Sequence, residues 1–282
     1  MVIPTIDNEI YDRYGRLWWD DDACGAMASI RFLVNPLRFA FFRGVAERLL
    51  GSRLRGSCFL DVGCGGGFLA EEFRRLDLRV WGLDVSYNST LAAQMHAARD
   101  PHKVPITYVQ GFAERLPFKD HSFDLVACCD MLEHVTDRQT VLEEISRVLK
   151  PGGIFFYETI NRTLVSWIMT IKAMQEWRST RFVPQRVHRW DLFIKPKELA
   201  GLMARNGLAN KEIRGLVPGL NMAANYLNLR RLAAGKIGYR ELGRRLKFRL
   251  SKDTSNVYIG YAVKGANGQM AKERKGTIPD RS

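Results

Sequence analysis

The chain has 282 residues, 46% of them apolar, which is enough to bury a core in one large domain or in two small ones. Its formal net charge is +13, so an anionic partner such as a membrane, a nucleic acid or a phosphorylated ligand is expected. No stretch approaches the roughly 20 apolar residues that span a bilayer, and the five cysteines, without paired metal spacing, exclude a disulfide scaffold.

The charge is unevenly distributed along the chain. Residues 1–34 carry six acids and three bases, whereas residues 211–252 carry eleven Lys and Arg side chains and two Glu. The basic segment predicts a surface that meets an anionic partner, although such a run also suits a solvated positive face. The N-terminus is acidic and has no apolar run, so we expect no secretory signal. The odd cysteine count favours a reducing compartment, and a cytoplasmic location is therefore expected.

Strand-like and helical patterns alternate through the first 160 residues. Apolar residues at helical spacing follow the first, second and fourth of the predicted strands. This rhythm predicts a parallel sheet with helices on both of its faces. The predicted strands cover 57–63, 79–86, 106–111, 123–129 and 152–160.

The rhythm changes after residue 161. A segment rich in Trp, Met and Arg is followed by a helical pattern in 194–208, a strand in 210–217 and a last strand at 256–264. The basic residues before the last strand have a helical pattern. We therefore expect one domain over 1–264, with an N-terminal helical cap at 1–50, insertions at 162–190 and 217–252, and a disordered tail at 265–282.

The turn between the first strand and the first helix is rich in glycine. The segment "LDVGCGGGFLAEEF" (60–73) contains Gly63 and Gly65, and glycine lets a ligand touch the backbone because it has no Cβ and tolerates positive φ. Dinucleotide sites use G-x-G-x-x-G here, but position 68 is Phe. Asp61, just before the glycines, would repel a pyrophosphate and suit a cationic ligand that carries an amino group.

Four pieces in this order resemble the class I S-adenosylmethionine-dependent methyltransferases: the turn that begins at Asp61, Asp84 at the end of the second strand, "AERLPFKDHSFDLV" (113–126) and "LKPGGIFFYET" (149–159). The resemblance implies an α/β, Rossmann-like fold with a seven-stranded, mostly parallel sheet, and S-adenosyl-L-methionine as cofactor. In that family the acid at Asp84 takes both ribose hydroxyls. The implied cofactor-binding residues are Arg38, Asp61, Gly63, Gly65, Asp84, Val85, Phe112, Ala113 and Cys129.

Phe112 departs from the family pattern, in which many members have an acid that accepts a hydrogen bond from the adenine amino group. A phenyl ring accepts no such bond. We therefore expect Phe112 to pack against the purine and to leave polar recognition to backbone groups such as the amide of Ala113.

Further stretches resemble a narrower branch, the ubiquinone-biosynthesis O-methyltransferases, which methylate hydroxyls on polyprenylated phenols. The matching pieces are "WWDDD" (18–22), "NPLR" (35–38), "DMLEHV" (130–135), "NRTLVSWIM" (161–169) and "FIKPKEL" (193–199). This resemblance implies that Arg38 pairs with the methionyl carboxylate of the cofactor and that the substrate is a prenylated phenol or catechol. The basic stretch before the last strand has no counterpart in the branch. The alternatives are a small-molecule or lipid O- or C-methyltransferase of another pathway and, less favoured, an RNA-binding methyltransferase.

The segment "DMLEHV" supplies the candidate catalytic residues Asp130, Glu133 and His134. A phenol has a pKa near 10, so the enzyme must remove its proton. On a helix, positions i, i+3 and i+4 share a face, and the three side chains would then hold a divalent ion such as Mg²⁺, Mn²⁺ or Zn²⁺. The family resemblance also implies a divalent-metal requirement. Two alternatives are that His134 alone acts as general base, and that the segment only lines the pocket.

The insertion at 162–190 has the composition of an interfacial helix. Leu164, Trp167, Ile168 and Ile171 fall on one predicted face, and six bases accompany a single Glu. Since a polyprenyl substrate resides in a membrane, we expect peripheral binding to an anionic membrane, at its inner face. The alternative is a lid that packs on the core. A nucleic-acid partner is not expected, because the basic stretch has few aromatic residues and no recognition motif.

Overall fold

The computed structural model describes residues 9–21, 25–100, 104–219 and 221–265. Apart from residue 265, the predicted disordered tail lies outside the described residues. Within the described ranges, no helix is long and apolar enough to cross a membrane.

A single eight-stranded sheet forms the centre of the protein, in the order β3-β2-β1-β4-β5-β8-β6-β7. The five strands from β3 to β5 are parallel, and β8, β6 and β7 follow in antiparallel pairing. The strands are β1 (Cys58–Val62), β2 (Arg79–Asp84), β3 (Ile106–Gln110), β4 (Phe123–Cys129), β5 (Leu149–Ile160), β6 (Leu208–Val217), β7 (Arg249–Ser251) and β8 (Val257–Lys264).

The expected α/β fold is confirmed, and the seven predicted strands are all present. The prediction of seven strands in total was wrong by one, because β7 lies at the end of the stretch that we expected to be helical. Phe248 and Leu250 are two residues apart, and both pack against the core. That period of two is the period of a strand, and it places Leu250 opposite Leu216 of β6.

Helices cover both faces of the sheet. The layer on one face includes α6 and α8, and the layer on the other includes α3 and α4; each packs on apolar side chains of the strands. The helices are α1 (Ile10–Arg13), α2 (Gly25–Ser29), α3 (Asn35–Leu50), α4 (Phe68–Arg74), α5 (Tyr87–Ala97), α6 (Arg138–Val148), α7 (Leu164–Ser166), α8 (Pro196–Arg205), α9 (Met222–Ala233) and α10 (Tyr239–Leu246).

Three of these helices are joined to π-helical turns. A turn at Ile30–Val34 links α2 to α3, and a longer one at Trp167–Glu176 extends α7. The N-terminal segment is fixed to α5, because the carboxylate of Asp12 accepts hydrogen bonds from Ser86 and Asn88. The N-terminal cap therefore crosses the edge of the sheet at which parallel β1 and β4 both end, where open α/β sheets bind ligands.

Candidate active site

A cavity of about 470 Å³ opens at this edge of the sheet. Its walls come from the N-terminal cap, the glycine turn after β1, the end of β2 and the segment after β4. All nine predicted cofactor-binding residues line it: Arg38, Asp61, Gly63, Gly65, Asp84, Val85, Phe112, Ala113 and Cys129. Residues spread over more than ninety positions of sequence are thus brought to one surface.

The glycine turn is shaped by close packing as well as by its backbone conformation. Gly63 and Gly65 have φ values of +75° and +50°, which side chains other than glycine rarely adopt. A Cβ on Gly63 would lie 2.9 Å from Met131, and one on Gly65 would lie 2.5 Å from the indole of Trp18. Trp18 is buried and its Nε1 donates to Ser89, 2.9 Å away. The indole thus requires glycine here, which the sequence did not reveal.

Two acids, the buried Asp61 and the partly buried Asp84, face the cavity beside this turn. Asp84 accepts hydrogen bonds from the backbone N–H groups of Gly65 (2.8 Å) and Ser86 (2.9 Å), which oppose the rise in its pKa that burial causes. Burial raises the pKa of Asp61 to about 7, with Asp84 adding to the rise and Arg38 opposing it. A cationic amino group bound here would favour the ionised form of both acids.

A buried ion-pair network lies at the floor of the cavity. Arg38 of α3 donates through Nε to Glu158 of β5 at 2.7 Å and through Nη2 to Asp130, which follows β4. Arg38 and Glu158 are almost fully buried. Sequence reasoning missed Glu158, although an acid within the apolar strand "IFFYETI" was a visible signal. Arg38 therefore has two carboxylate partners in the protein, and any contact with a ligand carboxylate would be an additional one.

The segment after β4 is a series of turns and not the helix expected over 130–134. Asp130 has a φ of +51°, which redirects the chain after the strand. His134 lines the cavity, and its Nε2 lies 3.4 Å from the hydroxyl of Tyr11. Glu133 does not line the cavity; one of its carboxylate oxygens accepts a hydrogen bond from Thr159 at 2.7 Å. Only two of the three predicted catalytic side chains therefore reach the cavity.

Burial shifts the pKa values of His134 and Glu133 in opposite directions. Burial and the neighbouring His188 lower the pKa of His134 to about 3, so its imidazole is neutral at pH 7. Burial and the charge of Asp130 raise the pKa of Glu133. The imidazole that faces the cavity is thus in the state that accepts a proton.

Comparisons with known proteins agree with this geometry. Residues 60–157 match the family model described as a methyltransferase domain. The chain is 35% identical over 213 residues to the ubiquinone biosynthesis O-methyltransferase of Azorhizobium caulinodans, covering 73% of this chain and 81% of that protein. It is 36% identical over 219 residues to the protein of the same name from Escherichia fergusonii, covering 76% and 86%. The chain belongs to the family of the ubiquinone biosynthesis O-methyltransferases.

Solved structures agree at the level of the fold. Magnesium protoporphyrin IX methyltransferase from Synechocystis PCC 6803, solved with bound SAH, superposes with a TM-score of 0.58 at 17% identity, covering 92% of this chain and 96% of that chain. The chain is thus an S-adenosylmethionine-dependent O-methyltransferase with the expected Rossmann-like fold. The predicted family, enzyme class and S-adenosylmethionine cofactor are confirmed.

In this O-methyltransferase, Asp130, Glu133 and His134 are not arranged to bind a metal ion together. In the described part of the chain, no group of three His, Cys, Asp or Glu side chains is placed to hold one. Asp130 is engaged by Arg38, and an oxygen of Glu133 by Thr159. No step of the reaction is therefore assigned to a metal, and the divalent-metal requirement stays a prediction that turnover with and without a chelator tests.

His188, at the end of the insertion at 162–190, packs beside His134 in this O-methyltransferase. The two ring centroids are 5.4 Å apart. Gln175 fixes the backbone of His188, because its amide accepts from the N–H at 2.9 Å and donates to the carbonyl at 3.2 Å. Sequence spacing could not show this contact, since 54 positions separate the two histidines along the chain.

Proposed function

We propose that the enzyme transfers the methyl group of S-adenosylmethionine to a phenolic hydroxyl of a prenylated quinone precursor. The supporting observation is that the nine expected cofactor residues and His134 line one cavity. The name of the relatives places them in ubiquinone biosynthesis, where the methyl acceptor is a quinone precursor. Both this name and the neutral imidazole at the cavity favour a phenol or catechol ring as the methyl acceptor.

The cofactor is expected to lie along the edge formed by β1 and β2. S-Adenosylmethionine supplies a methyl group that its sulfonium already activates. Asp84 would accept hydrogen bonds from the ribose hydroxyls, and Asp61 would face the methionyl amino group. Phe112, which is 65% exposed, would cover the adenine. Burying that ring provides a favourable contribution of about 2 kcal/mol without an acidic partner for the adenine amino group.

His134 is proposed to accept the phenolic proton at Nε2. A phenol with a pKa near 10 cannot lose its proton beforehand to an imidazole whose pKa is about 3. The acidity of the hydroxyl rises steeply once its oxygen begins to bond to the methyl carbon. The proton therefore moves to His134 while the new C–O bond forms and the C–S bond breaks. The ring of Tyr11 packs edge-on against the imidazole, with the two centroids 5.6 Å apart, and helps to orient it; the substrate hydroxyl would replace the Tyr11 hydroxyl, 3.4 Å away, at Nε2.

The insertion is proposed to bring the enzyme to the anionic membrane in which a prenylated substrate resides. The predicted face is divided: Ile171 is buried with Ile160 and Phe193, whereas Leu164 and Trp167 are exposed by 68% and 38%. The exposed residues suit insertion at the level of the lipid headgroups. Flotation with phosphatidylglycerol vesicles tests this: Trp167→Ser is expected to reduce recovery, and equal recovery with and without anionic lipid would contradict it.

The methyl-transfer proposal is tested by turnover of S-adenosylmethionine on matched acceptors. We would compare a catechol that carries a short prenyl chain, the same catechol without the chain, and the prenylated ring with both hydroxyls already methylated. The first is expected to be turned over fastest and the third not at all. Absence of turnover on every phenol, from protein that binds S-adenosylhomocysteine, would refute the proposal.

A further inference from the structure

A basic hairpin formed by residues 221–252 stands on the surface of the enzyme. It comprises α9, α10 and the short β7, and it contains nine Lys and Arg side chains and one Glu. Three of the bases have ion-pair partners: Arg244 and Arg245 pair with Glu241, and Arg240 with Asp21. Among the described residues, the other six have no ion-pair partner: Arg230, Arg231, Lys236, Lys247, Arg249 and Lys252.

The inner face of the basic hairpin is fixed to the body of the protein. Leu229 and Leu232 of α9 and Leu242 and Leu246 of α10 are buried in one cluster with Leu33. These contacts account for the apolar residues on the inner side. The hairpin is therefore an ordered, packed element, and its outer face is presented in a fixed orientation.

The outer face of α9 is apolar at its start and basic at its end. Met222, Tyr226 and Leu227 are exposed by 79%, 43% and 55%. Positions 222, 226 and 230 are four residues apart and lie on one side of the helix, so Arg230 continues the same surface. Soluble proteins seldom expose several large apolar residues together unless the surface contacts a partner.

The basic hairpin is also connected to the walls of the cavity. α10 packs on the π-helical turn at Ile30–Val34, and Ile30 lines the cavity. On its other side, the ring of Tyr239 lies 6.0 Å from that of Phe182, which belongs to the insertion at 162–190. A partner that binds the hairpin would therefore contact an element next to the cavity.

We infer that the outer face of α9, with the unpaired bases of the hairpin, is a docking surface for an anionic lipid bilayer, separate from the insertion. The inference rests on the proposed function in one respect, since a prenylated acceptor requires access to lipid. Met222 and Leu227 would enter the boundary of the acyl chains, Tyr226 would lie at the headgroups, and the arginines would face lipid phosphates. RNA suits the surface less well, because Tyr226 is its one exposed aromatic residue within the described hairpin.

Vesicle co-sedimentation of the full chain tests the inference. Arg230→Glu/Arg231→Glu is compared with wild type on phosphatidylcholine vesicles with and without 30% phosphatidylglycerol, a composition chosen as about that of a strongly anionic membrane. Two bases near such a surface contribute roughly 30-fold in affinity, so the variant should bind at least that much more weakly. Met222→Ser/Leu227→Ser should also weaken binding, without changing the charge.

A matched control is available on the opposite face of the sheet. Lys197→Glu/Arg205→Glu on α8 changes the net charge by the same amount at two exposed positions and should bind vesicles like wild type. An equal loss of vesicle binding in the control would show that net charge alone causes the effect, and it would overturn the inference. Unchanged binding of the α9 variants, or absence of wild-type binding to anionic vesicles, would also overturn it.

Two further measurements separate this inference from its alternatives. A gel shift with single-stranded RNA that the α9 variants abolish, while their vesicle binding persists, would assign the surface to RNA instead. Turnover of a short-chain catechol in the absence of lipid should be unchanged in the α9 variants. If wild type turns over no phenol but sediments through α9, the proposed function fails and the docking surface stands.

Discussion

The cavity and the basic hairpin differ in how their charged side chains are buried and paired. At the cavity, the charged side chains are buried or partly buried, and two of them have well-defined partners: Arg38 lies between two carboxylates, and Asp84 accepts two backbone N–H bonds. In the hairpin, the bases are exposed and most have no ion-pair partner among the described residues. The first arrangement fixes geometry for a small ligand, whereas the second leaves charge available to a large anionic surface.

Breaking the network at the cavity floor should have the largest effect. Arg38→Ala leaves the buried Glu158 and the partly exposed Asp130 without their cation, and we expect a loss of about 3–5 kcal/mol in the free energy of unfolding, measured in urea. The control is Arg43→Ala on the same helix, which removes an exposed pair with Glu47 and should cost less than about 1 kcal/mol. Equal losses of unfolding free energy in the two variants would contradict the contrast between buried and exposed ion pairs.

The pH dependence of stability should reveal the buried state of Asp61. The pKa of this acid is raised from 3.8 to about 7 on folding, so the folded protein binds more protons between these values and loses stability as pH rises through them. Asp61→Asn should remove roughly 2–4 kcal/mol of that loss, measured as the difference in unfolding free energy between pH 4.5 and pH 8. Glu133 and Glu158 contribute to the trend in both proteins, and the difference isolates Asp61.

Asp120→Asn is the control for this experiment. Asp120 is exposed, and its pairing with Arg147 lowers its pKa, so any change that it causes should have the opposite sign. A wild-type slope that Asp61→Asn leaves intact would show that this carboxyl is ionised in the folded protein throughout the range.

Removal of the proposed proton acceptor should affect turnover and leave cofactor binding intact. His134→Ala should lower kcat at least about 100-fold, while affinity for S-adenosylhomocysteine stays within about threefold of wild type. Glu133→Ala should also lower kcat with the same affinity, because the bond between Glu133 and Thr159 holds the turn that carries His134. Calorimetry measures the affinity, and release of S-adenosylhomocysteine measures kcat. Loss of binding in either variant would place these residues in the cofactor site.

Two helix N-caps offer the smallest and most direct comparison of the two regions. Ser86 caps α5 beneath the cavity, is buried and also donates to Asp12, whereas Asn221 caps α9 of the hairpin at the exposed surface. Ser86→Ala should cost about 1–2 kcal/mol and Asn221→Ala less than about 1 kcal/mol in thermal unfolding. The reverse order would mean that the hairpin contributes more to the stability of the protein than its contacts indicate.

The sequence by itself determined seven of the eight strands and the residues at their ends that we expect to bind the cofactor. The strands have short apolar runs, and the acids and glycines follow them directly, as at Asp61–Gly65 and Asp84. The order of residues along the chain was sufficient for this prediction. Parallel strands have their carboxyl ends at one edge of the sheet, so the residues that follow them reach the same cavity. The resemblance to a known family rested on these same local pieces.

Only the tertiary structure decided which side chains meet across long separations. It paired Arg38 with Glu158, set Trp18 against Gly65, and placed His188 beside His134. The segment after β4 also forms turns and not a helix, so Glu133 accepts a hydrogen bond from Thr159, and the three expected metal donors do not converge. Spacing along a chain fixes neighbours only within a helix or a strand, whereas these contacts depend on how separate elements pack, which no local pattern encodes.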